Sequence, residues 1–252
     1  MILSSVKRTF QVLDLFTSNQ SELSLTEIST KLSNDKSSTS RILATLTAAG
    51  FLERKPANRK YRLGWKCVDL GNRVLSRYND IRECANPFLE ELAQKITEIV
   101  HLSILDGNQI VYLEKKGEGQ TLTVSTKIGG RSPAHASAMG KLLLSGLSQN
   151  EVSEILAAGP LIRFTPNTIT EISRLRKHLE AIRNQGFAID HEESFLGIRC
   201  VAAPIKNAQG KILAAVSASV PVQRMGGERL KEIRTCILET AHRISEKIGR
   251  VL

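Results

Sequence analysis

The chain has 252 residues, 41% of them hydrophobic, which is enough to bury the core of one large domain or two ordinary ones. Its formal net charge of +10 favours a polyanionic partner. No apolar run reaches the roughly 18 residues of a membrane span and the N-terminus lacks a signal-peptide core, so we expect a cytoplasmic protein without a membrane partner. The widely spaced cysteines exclude a disulfide framework and a zinc finger, and we expect no metal and no cofactor. They are Cys67, Cys84, Cys200 and Cys236.

The first predicted element is a helix that begins near Ser5. Val6, Phe10, Leu13 and Phe16 recur in it at helical spacing, with polar residues between them. We therefore expect this apolar face to pack on the two helices that follow.

Residues 24–50 predict two short helices separated by a tight polar break, which is the shape of a helix-turn-helix. Ser24 and Glu27 match the capping box of a helix start, Asp35 is placed to cap the second helix, and Gly50 to end it. The outer side of the second helix keeps the short hydroxyls and cations that reach phosphates and base edges in a major groove. The predicted DNA-binding residues on it are Lys36, Ser37, Ser38, Ser40, Arg41 and Thr45.

Residues 51–54 and 59–63 predict a two-stranded hairpin, because Pro56 and Asn58 suit the turn between them. Cations at its tip are expected to contact the DNA backbone, although a solvated hairpin without a binding role is the alternative. Residues 1–66 carry eleven Lys and Arg against five Asp and Glu, and we assign them to a winged helix-turn-helix domain that binds double-stranded operator DNA. The cations at the tip are Arg54, Lys55, Arg59 and Lys60.

Residues 65–81 carry an apolar stripe at helical spacing and predict a connecting helix, with residues 67–81 as the linker between domains. This stripe must be buried, either on the winged domain or on the same helix of a second subunit. Because helix-turn-helix proteins usually bind two half-sites as two-fold dimers, we favour a homodimer.

Residues 82–252 predict an α+β domain with a largely antiparallel sheet, since its strands occur in hairpins that are adjacent in sequence. Helices are expected after Asn86 and Pro87, around residues 137–144, over 170–185, and at the C-terminus. The predicted strands are 100–105, 110–114, 121–128, 187–191, 198–205 and 211–220.

Candidate chemical groups in this domain do not form a complete catalytic set. In segment 129–141 a glycine-rich bend opens a helix and can present free N–H groups to an anion, but the segment fails the spacing of nucleotide-binding loops. His135 suits a packing role at the helix start, and a ligand-contacting role stays open. Residues 190–193, Asp-His-Glu-Glu, point alternately to opposite sides of a strand, so one carboxylate is expected in a pocket. Cys200 on a buried strand suits packing better than nucleophilic attack.

Five segments, taken in order, make the whole chain resemble one protein family. They are 37–46 (SSTSRILATL), 60–64 (KYRLG), 133–141 (PAHASAMGK), 164–169 (FTPNTI), and 190–193 (DHEE) with 197–204 (GIRCVAAP). The chain resembles the IclR family of bacterial transcriptional regulators. This resemblance implies a winged domain, a linker helix and a GAF-like effector-binding domain, assembled as dimers or dimers of dimers on DNA.

The resemblance also implies a ligand pocket. Family members hold a small carboxylate with backbone N–H groups of the loop before the Gly-Lys pair, and with Asp, Cys and two Ser side chains. The two serines lie at i and i+2, hence on one face of their strand. The bulky side chain of Met139 is expected to narrow the pocket. With His135, the predicted effector-binding residues are Ala138, Met139, Asp190, Cys200, Ser217 and Ser219.

We therefore expect a non-enzymatic, ligand-responsive transcriptional regulator, a repressor that senses a small organic acid such as a keto, sugar or aromatic acid. Two alternatives remain from the sequence. One is a redox- or metal-responsive regulator that uses Cys200 and His135. The other is an enzyme with a regulatory DNA-binding arm.

Overall fold

The computed structural model describes residues 3–17, 19–117 and 126–249. The chain forms two compact units, one up to residue 77 and one from residue 78 onward. The expected boundary between residues 81 and 82 falls inside a helix of the second unit.

The first unit is a three-helix core with a short hairpin and a further helix. Its core is formed by residues from every part of the unit except that last helix, among them Val12, Ile28, Leu43 and Tyr61. The elements are α1 (Ser4–Asp14), α2 (Leu25–Lys31), α3 (Lys36–Ala48), β1 (Leu52–Arg54), β2 (Tyr61–Leu63) and α4 (Trp65–Leu75).

The predicted helix-turn-helix is confirmed, and its caps are those expected. The Ser24 hydroxyl accepts the Glu27 N–H at 3.3 Å, while the Glu27 carboxylate accepts the Ser24 N–H at 2.7 Å. Asp35 accepts the Ser38 N–H at 2.7 Å, which caps α3. At the far end Gly50 adopts a φ of 78°, a conformation that glycine takes at little cost and that ends the helix.

The hairpin is attached directly to the helical core. β1 and β2 pair antiparallel, with Leu52 opposite Leu63. Leu23, just before α2, exchanges two backbone hydrogen bonds with Tyr61, at 2.7 and 3.0 Å. The wing is therefore held in place by backbone bonds as well as by the burial of Leu52 and Tyr61.

The predicted packing face of α1 is only partly correct. Leu13 and Phe16 pack against the core beside Val12, but Val6 and Phe10 are 46% and 61% exposed. The small core reaches only the C-terminal end of the helix, so the first two turns leave their apolar side chains in solvent.

The single helix predicted over residues 65–81 is wrong. α4 ends at Leu75, residues 76–78 form a 3₁₀ turn, and α5 (Asn79–Ile96) continues through Pro87, where a helix start was expected. Pro87 removes one helical hydrogen bond and normally costs about 3 kcal/mol in a helix interior. Buried residues on both sides of it, including Cys84 and Leu89, offset that cost by packing.

The second unit is built on a six-stranded sheet in the order β5-β4-β3-β8-β7-β6, in which every described pairing is antiparallel. This confirms the predicted α+β class. Its strands are β3 (Ile99–Asp106), β4 (Gln109–Lys116), β5 (Arg131–Pro133), β6 (Ala188–His191), β7 (Ile198–Lys206) and β8 (Ile212–Pro221). Its helices after α5 are α6 (Ala138–Ser145), α7 (Gln149–Ala157), α8 (Ile172–Gln185) and α9 (Gly227–Ile248).

Helices cover both faces of this sheet. α5 and α9 pack on each other and on the sheet, while α6 packs on the sheet and on α8. Alternate residues of β7 therefore face opposite layers, and both Val201 and Ala202 are buried.

Two parts of the second unit differ from the predictions. A strand is expected at residues 121–128. Residues 121–125 lie outside the described part of the chain, and residues 126–128 are not in a strand. The strand that pairs with β4 on its other side is β5, which lies within the segment expected to be a glycine-rich bend. α7 was not predicted, although Ser148 and Glu151 form a second capping box at its start.

Candidate functional site

The outer face of α3 presents the predicted polar residues to solvent. Thr39, Leu43 and Leu46 point into the core, which leaves the opposite side of the helix free of packing. This side is a continuous strip of hydroxyls and cations. Lys36, Ser37, Ser40, Arg41 and Thr45 are exposed, and Ser38 is half-buried.

The four wing cations have different surroundings. Lys55 forms an ion pair with Glu22, and Lys60 lies 3.9 Å from a carboxylate oxygen of Glu27. The Arg54 guanidinium lies over the Tyr61 ring, 5.5 Å from its centroid. Arg59 is exposed at the turn, where its φ is 57°. Lys55 and Lys60 are therefore partly neutralised within their own unit.

In the second unit, one cavity of about 30 Å³ brings together the six residues carried over from the family resemblance. It lies between the start of α6 and the sheet. Seven further lining residues were not predicted. The six predicted residues are Ala138, Met139, Asp190, Cys200, Ser217 and Ser219, and the other seven are Tyr112, Thr126, Ser132, Ser137, Ser194, Phe195 and Ile198.

Strand register explains why residues distant in sequence meet here. Asp190 pairs with Cys200 across β6 and β7, and Cys200 pairs with Ser219 across β7 and β8. Directly opposed residues of antiparallel strands share a face, so these three side chains form a row. Ser217, two residues from Ser219, lies on the same face.

The start of α6 forms the opposite wall. The Ser137 hydroxyl accepts the Gly140 N–H at 3.1 Å and caps the helix. A Cβ at Gly140 would lie 2.3 Å from the Ala134 Cα, so only glycine permits this close approach. The first N–H groups of a helix have no acceptor within it, and those of Ala138 and Met139 begin α6 where its dipole is positive.

Neutral hydrogen-bond donors dominate the sheet side of the cavity. The Cys200 thiol lies 3.3 Å from the Ser219 hydroxyl. Ser217 is 1% exposed, and its Oγ has no hydrogen-bond partner in the part of the chain that the structure describes. A buried hydroxyl without a partner is unfavourable, and a ligand oxygen at this position would satisfy it.

The ionisable groups of the cavity are strongly perturbed by burial. Burial raises the pKa of Asp190 to about 6, although its Oδ1 accepts the Glu193 N–H at 2.6 Å. Burial, followed by the nearby Asp190 carboxylate, raises the pKa of Cys200 to about 12. Burial also raises the pKa of Tyr112. The thiol and the phenol are therefore protonated at neutral pH.

A buried ion pair behind the cavity was missed by the sequence analysis. The ammonium of Lys141 is fully buried and contacts the Glu193 carboxylate, the Ile189 carbonyl at 3.0 Å and the His178 ring at 3.3 Å. The sequence does contain one indication of this pair, a single Lys within the apolar helix α6. A buried ammonium requires partners, so a charged or polar group beside it is expected. This pair links α6 to the segment that follows Asp190.

His135 does not line the cavity that holds the other six predicted effector-binding residues. Its Nε2 lies 2.9 Å from the Ile162 carbonyl, and its ring lies beside Phe164, with 6.0 Å between centroids. It lines a separate cavity of about 100 Å³. The contacts with the Ile162 carbonyl and the Phe164 ring hold this side chain outside the cavity that Asp190 lines.

Residues 190–193 diverge, as the strand alternation predicts. Asp190 faces the cavity, His191 is exposed, and Glu192 accepts the Gly197 N–H at 3.0 Å. Within the described ranges, no three His, Cys, Asp or Glu side chains are grouped so as to hold a metal ion. No helix there is long and apolar enough to cross a membrane.

Two family models match the chain. Residues 5–56 match the IclR helix-turn-helix domain, and residues 73–246 match the C-terminal domain described as bacterial transcriptional regulator IclR. The first match lies within the first compact unit, and the second covers most of the second unit.

Full-length relatives agree with this match. The chain is 37% identical over 249 residues to the HTH-type transcriptional regulator XynR of Escherichia coli K12, covering 98% of both chains. It is 32% identical to the HTH-type transcriptional repressor AllR of Salmonella typhimurium, covering 97% of this chain and 90% of AllR. An IclR homolog from Microbacterium hydrocarbonoxydans, solved in complex with 4-hydroxybenzoate, superposes with a TM-score of 0.82 at 26% identity, covering 99% and 100% of the two chains. The chain therefore belongs to the IclR family of bacterial transcriptional regulators, which are DNA-binding proteins and not enzymes.

Proposed function

We propose that this regulator represses transcription from an operator and responds to a small organic acid bound in the cavity between α6 and the sheet. The observation that carries the proposal is the buried Ser217 hydroxyl, which has no hydrogen-bond partner among the described residues and lines the same cavity as the positive end of α6. Together they offer an anion several hydrogen-bond donors in a site shielded from water.

On the DNA side, α3 is the proposed recognition helix. Arg41 is exposed in its middle and suits a bidentate contact with guanine, whereas Ser37 and Ser40 suit shorter contacts to phosphates or base edges. Arg54 and Arg59 on the wing are proposed phosphate contacts. Lys55 and Lys60 contribute less, because each has an acidic neighbour on the protein.

On the effector side, the acid's carboxylate is proposed to accept hydrogen bonds from the N–H groups of Ala138 and Met139 and from the hydroxyls of Ser217 and Ser219. The Cys200 thiol, which stays protonated, is a further donor. A keto, sugar or aromatic acid fits this chemistry, and 4-hydroxybenzoate in the Microbacterium homolog is an aromatic acid.

The proposed assembly is a homodimer or a dimer of dimers. In the first unit, apolar side chains that a monomer leaves in water include Phe10, Trp65 and Val74, which are 61%, 76% and 52% exposed. A second copy is the natural partner, because DNA half-sites related by two-fold symmetry require two recognition helices.

The two recognition helices of a dimer can adopt more than one arrangement. Effector binding changes DNA affinity only if the acid binds one of these arrangements more tightly than another, and the difference in binding free energy limits the size of the change. Such coupling is typically about 1–3 kcal/mol, or about 5–150-fold in affinity. If the acid favours the arrangement with the weaker DNA affinity, its binding releases the repressor from the operator.

A redox-responsive regulator is a weaker candidate. A reactive cysteine requires a lowered pKa, whereas burial raises that of Cys200 to about 12. A metal-responsive regulator that uses Cys200 and His135 is disfavoured because these residues line separate cavities.

The test combines a thermal-shift assay and a mobility-shift assay. Pyruvate, D-gluconate and 4-hydroxybenzoate serve as keto, sugar and aromatic probes, and an acid at 100 times its Kd should add about 2.7 kcal/mol of stability. Ser217→Ala should remove most of this gain for the acid that binds, while Ser173→Ala, at an exposed position on α8, should not. Unchanged operator affinity in Arg41→Ala would refute the recognition-helix assignment.

A further inference from the structure

The cavity proposed to hold an acid contains an acidic side chain of its own. Its described lining residues include one carboxyl group, that of Asp190, and no lysine, arginine or histidine. Asp190 is 2% exposed, so water does not screen its charge effectively. An anionic ligand therefore meets one negative charge and no permanent positive side chain.

The cationic side chain near Asp190 is that of Lys141, and its charge does not act on Asp190 only. Lys141 is directed at Glu193, the Ile189 carbonyl and His178. Its charge lowers the pKa of Asp190, whereas the Glu193 charge raises it, so the two effects oppose each other. The titratable groups that interact with Asp190 are Lys141, Glu193, Cys200 and Tyr112, while His178 and His191 interact with Lys141 and Glu193.

The proposed acid and Asp190 would share one buried site. Asp190 lines the same small cavity as Ser217, Ser219 and the start of α6, where the ligand's carboxylate is proposed to lie. Two carboxylates that share a buried site do not both ionise at neutral pH, because the repulsion between like charges raises one pKa strongly. A single shared proton removes the repulsion and forms a short, charge-assisted hydrogen bond.

We propose that the effector acid binds together with one proton, held between its carboxylate and Asp190. This inference rests on the proposed function, since it concerns the acid that the cavity binds. Asp190 then acts as a proton donor toward the acid, while its Oδ1 continues to accept the Glu193 N–H. The proton comes from solvent, and no bond of the acid is broken.

Proton uptake makes effector affinity depend on pH in a defined direction. Because burial raises the pKa of free Asp190 to about 6, the group is mostly ionised at pH 7.5 and must gain a proton on binding. Affinity then falls about tenfold for each pH unit above 6 and is nearly constant between about pH 5 and 6.

The test is isothermal titration calorimetry of the full chain with pyruvate, D-gluconate and 4-hydroxybenzoate. Each titration is run at pH 7.5 in HEPES and in Tris, whose ionisation enthalpies differ, so the difference in heat counts the protons taken up. We expect about one proton per acid bound at pH 7.5. Asp190→Asn, which keeps an oxygen for the Glu193 N–H, should show no uptake and an affinity that is constant from pH 6 to 8. Glu154→Gln, at an exposed carboxylate on α7, should behave as wild type.

The outcomes separate the two proposals. Binding of a probe at pH 7.5 without proton uptake overturns this inference and leaves the acid site intact. The same holds if Asp190→Asn takes up as many protons as the wild type. If none of the three probes binds the wild type, the proposed function fails and this inference fails with it.

Discussion

The hydroxyl of Ser103 on β3 donates a hydrogen bond to the thioether of Met139 on α6, with 3.0 Å between Oγ and Sδ. Both residues are buried, so this contact holds the Met139 side chain across the space between helix and sheet. Met139 lines the small cavity, and the residue at position 139 is therefore expected to limit the size of the acid.

Replacing Met139 should change which acids bind. Met139→Ala removes side-chain volume from the cavity and should raise the affinity for 4-hydroxybenzoate relative to pyruvate, at a stability cost of about 2–5 kcal/mol. Calorimetric titration and urea unfolding measure the two effects. Met225→Ala, at a buried residue that does not line the cavity, is the control for the stability cost alone. An unchanged affinity ratio in Met139→Ala would contradict the assigned role.

The Lys141–Glu193 pair should be important for stability. Lys141→Met leaves the Glu193 carboxylate buried without its counter-ion and should lower the free energy of unfolding by about 3–5 kcal/mol. Lys95→Met, which removes an exposed ammonium 3.9 Å from Glu239, should cost less than about 1 kcal/mol. Equal losses in urea unfolding of the two variants would show that the buried pair has no special role.

Asp190 should make the free protein less stable at neutral pH. Its folded pKa of about 6 lies above the ordinary value of 3.8, so the folded state binds the proton more tightly than the unfolded state. Stability is then lost as the pH rises from about 4 to about 6, by at most about 3 kcal/mol. Asp190→Asn removes this loss and should raise the melting temperature at pH 8 but not at pH 4. Asp106→Asn, at an exposed site, should leave the pH dependence unchanged, and a wild-type-like profile for Asp190→Asn would contradict the assignment.

The wing cations should contribute unequally to DNA binding. Arg59→Ala should reduce the slope of log affinity against log salt concentration by about 1, without altering sequence preference. Lys55→Ala should reduce it less, because Glu22 already pairs with that ammonium. Mobility shifts at several salt concentrations provide the slopes, with Arg174→Ala on α8 as the control. A larger effect from Lys55 than from Arg59 would refute this ranking.

The exposed apolar side chains of the first unit should be needed for assembly. Phe10→Ser and Trp65→Ser place hydroxyls where burial against a second copy is proposed, and we expect a larger monomer fraction in analytical ultracentrifugation. Ile162→Ser, at a comparably exposed residue of the second unit, is the control. Dimers of undiminished stability in both Phe10→Ser and Trp65→Ser would exclude α1 and α4 from the interface.

Predictions that depend on neighbouring residues agree well with the structure. The caps of α2 and α3 and the end at Gly50 are set by hydrogen bonds that span three or four residues, so the sequence pattern contains them. The apolar face of α1 was misjudged because helical spacing shows which residues share a side, and not how far the core extends along the helix. Pro87 predicts a helix start because its local cost is evident in the sequence, whereas the packing that outweighs this cost comes from distant residues.

By itself, the sequence determined the helix-turn-helix, the polar face of α3, the antiparallel sheet and, through the family resemblance, six residues of the cavity. The tertiary structure alone decided that His135 lines a different cavity, that Lys141 is buried against Glu193, and that Met139 accepts a hydrogen bond from Ser103. The physical reason is that capping and periodicity act within a few residues. Burial, strand register and pKa arise from groups that the fold brings together from β4, β6, β7, β8 and α6.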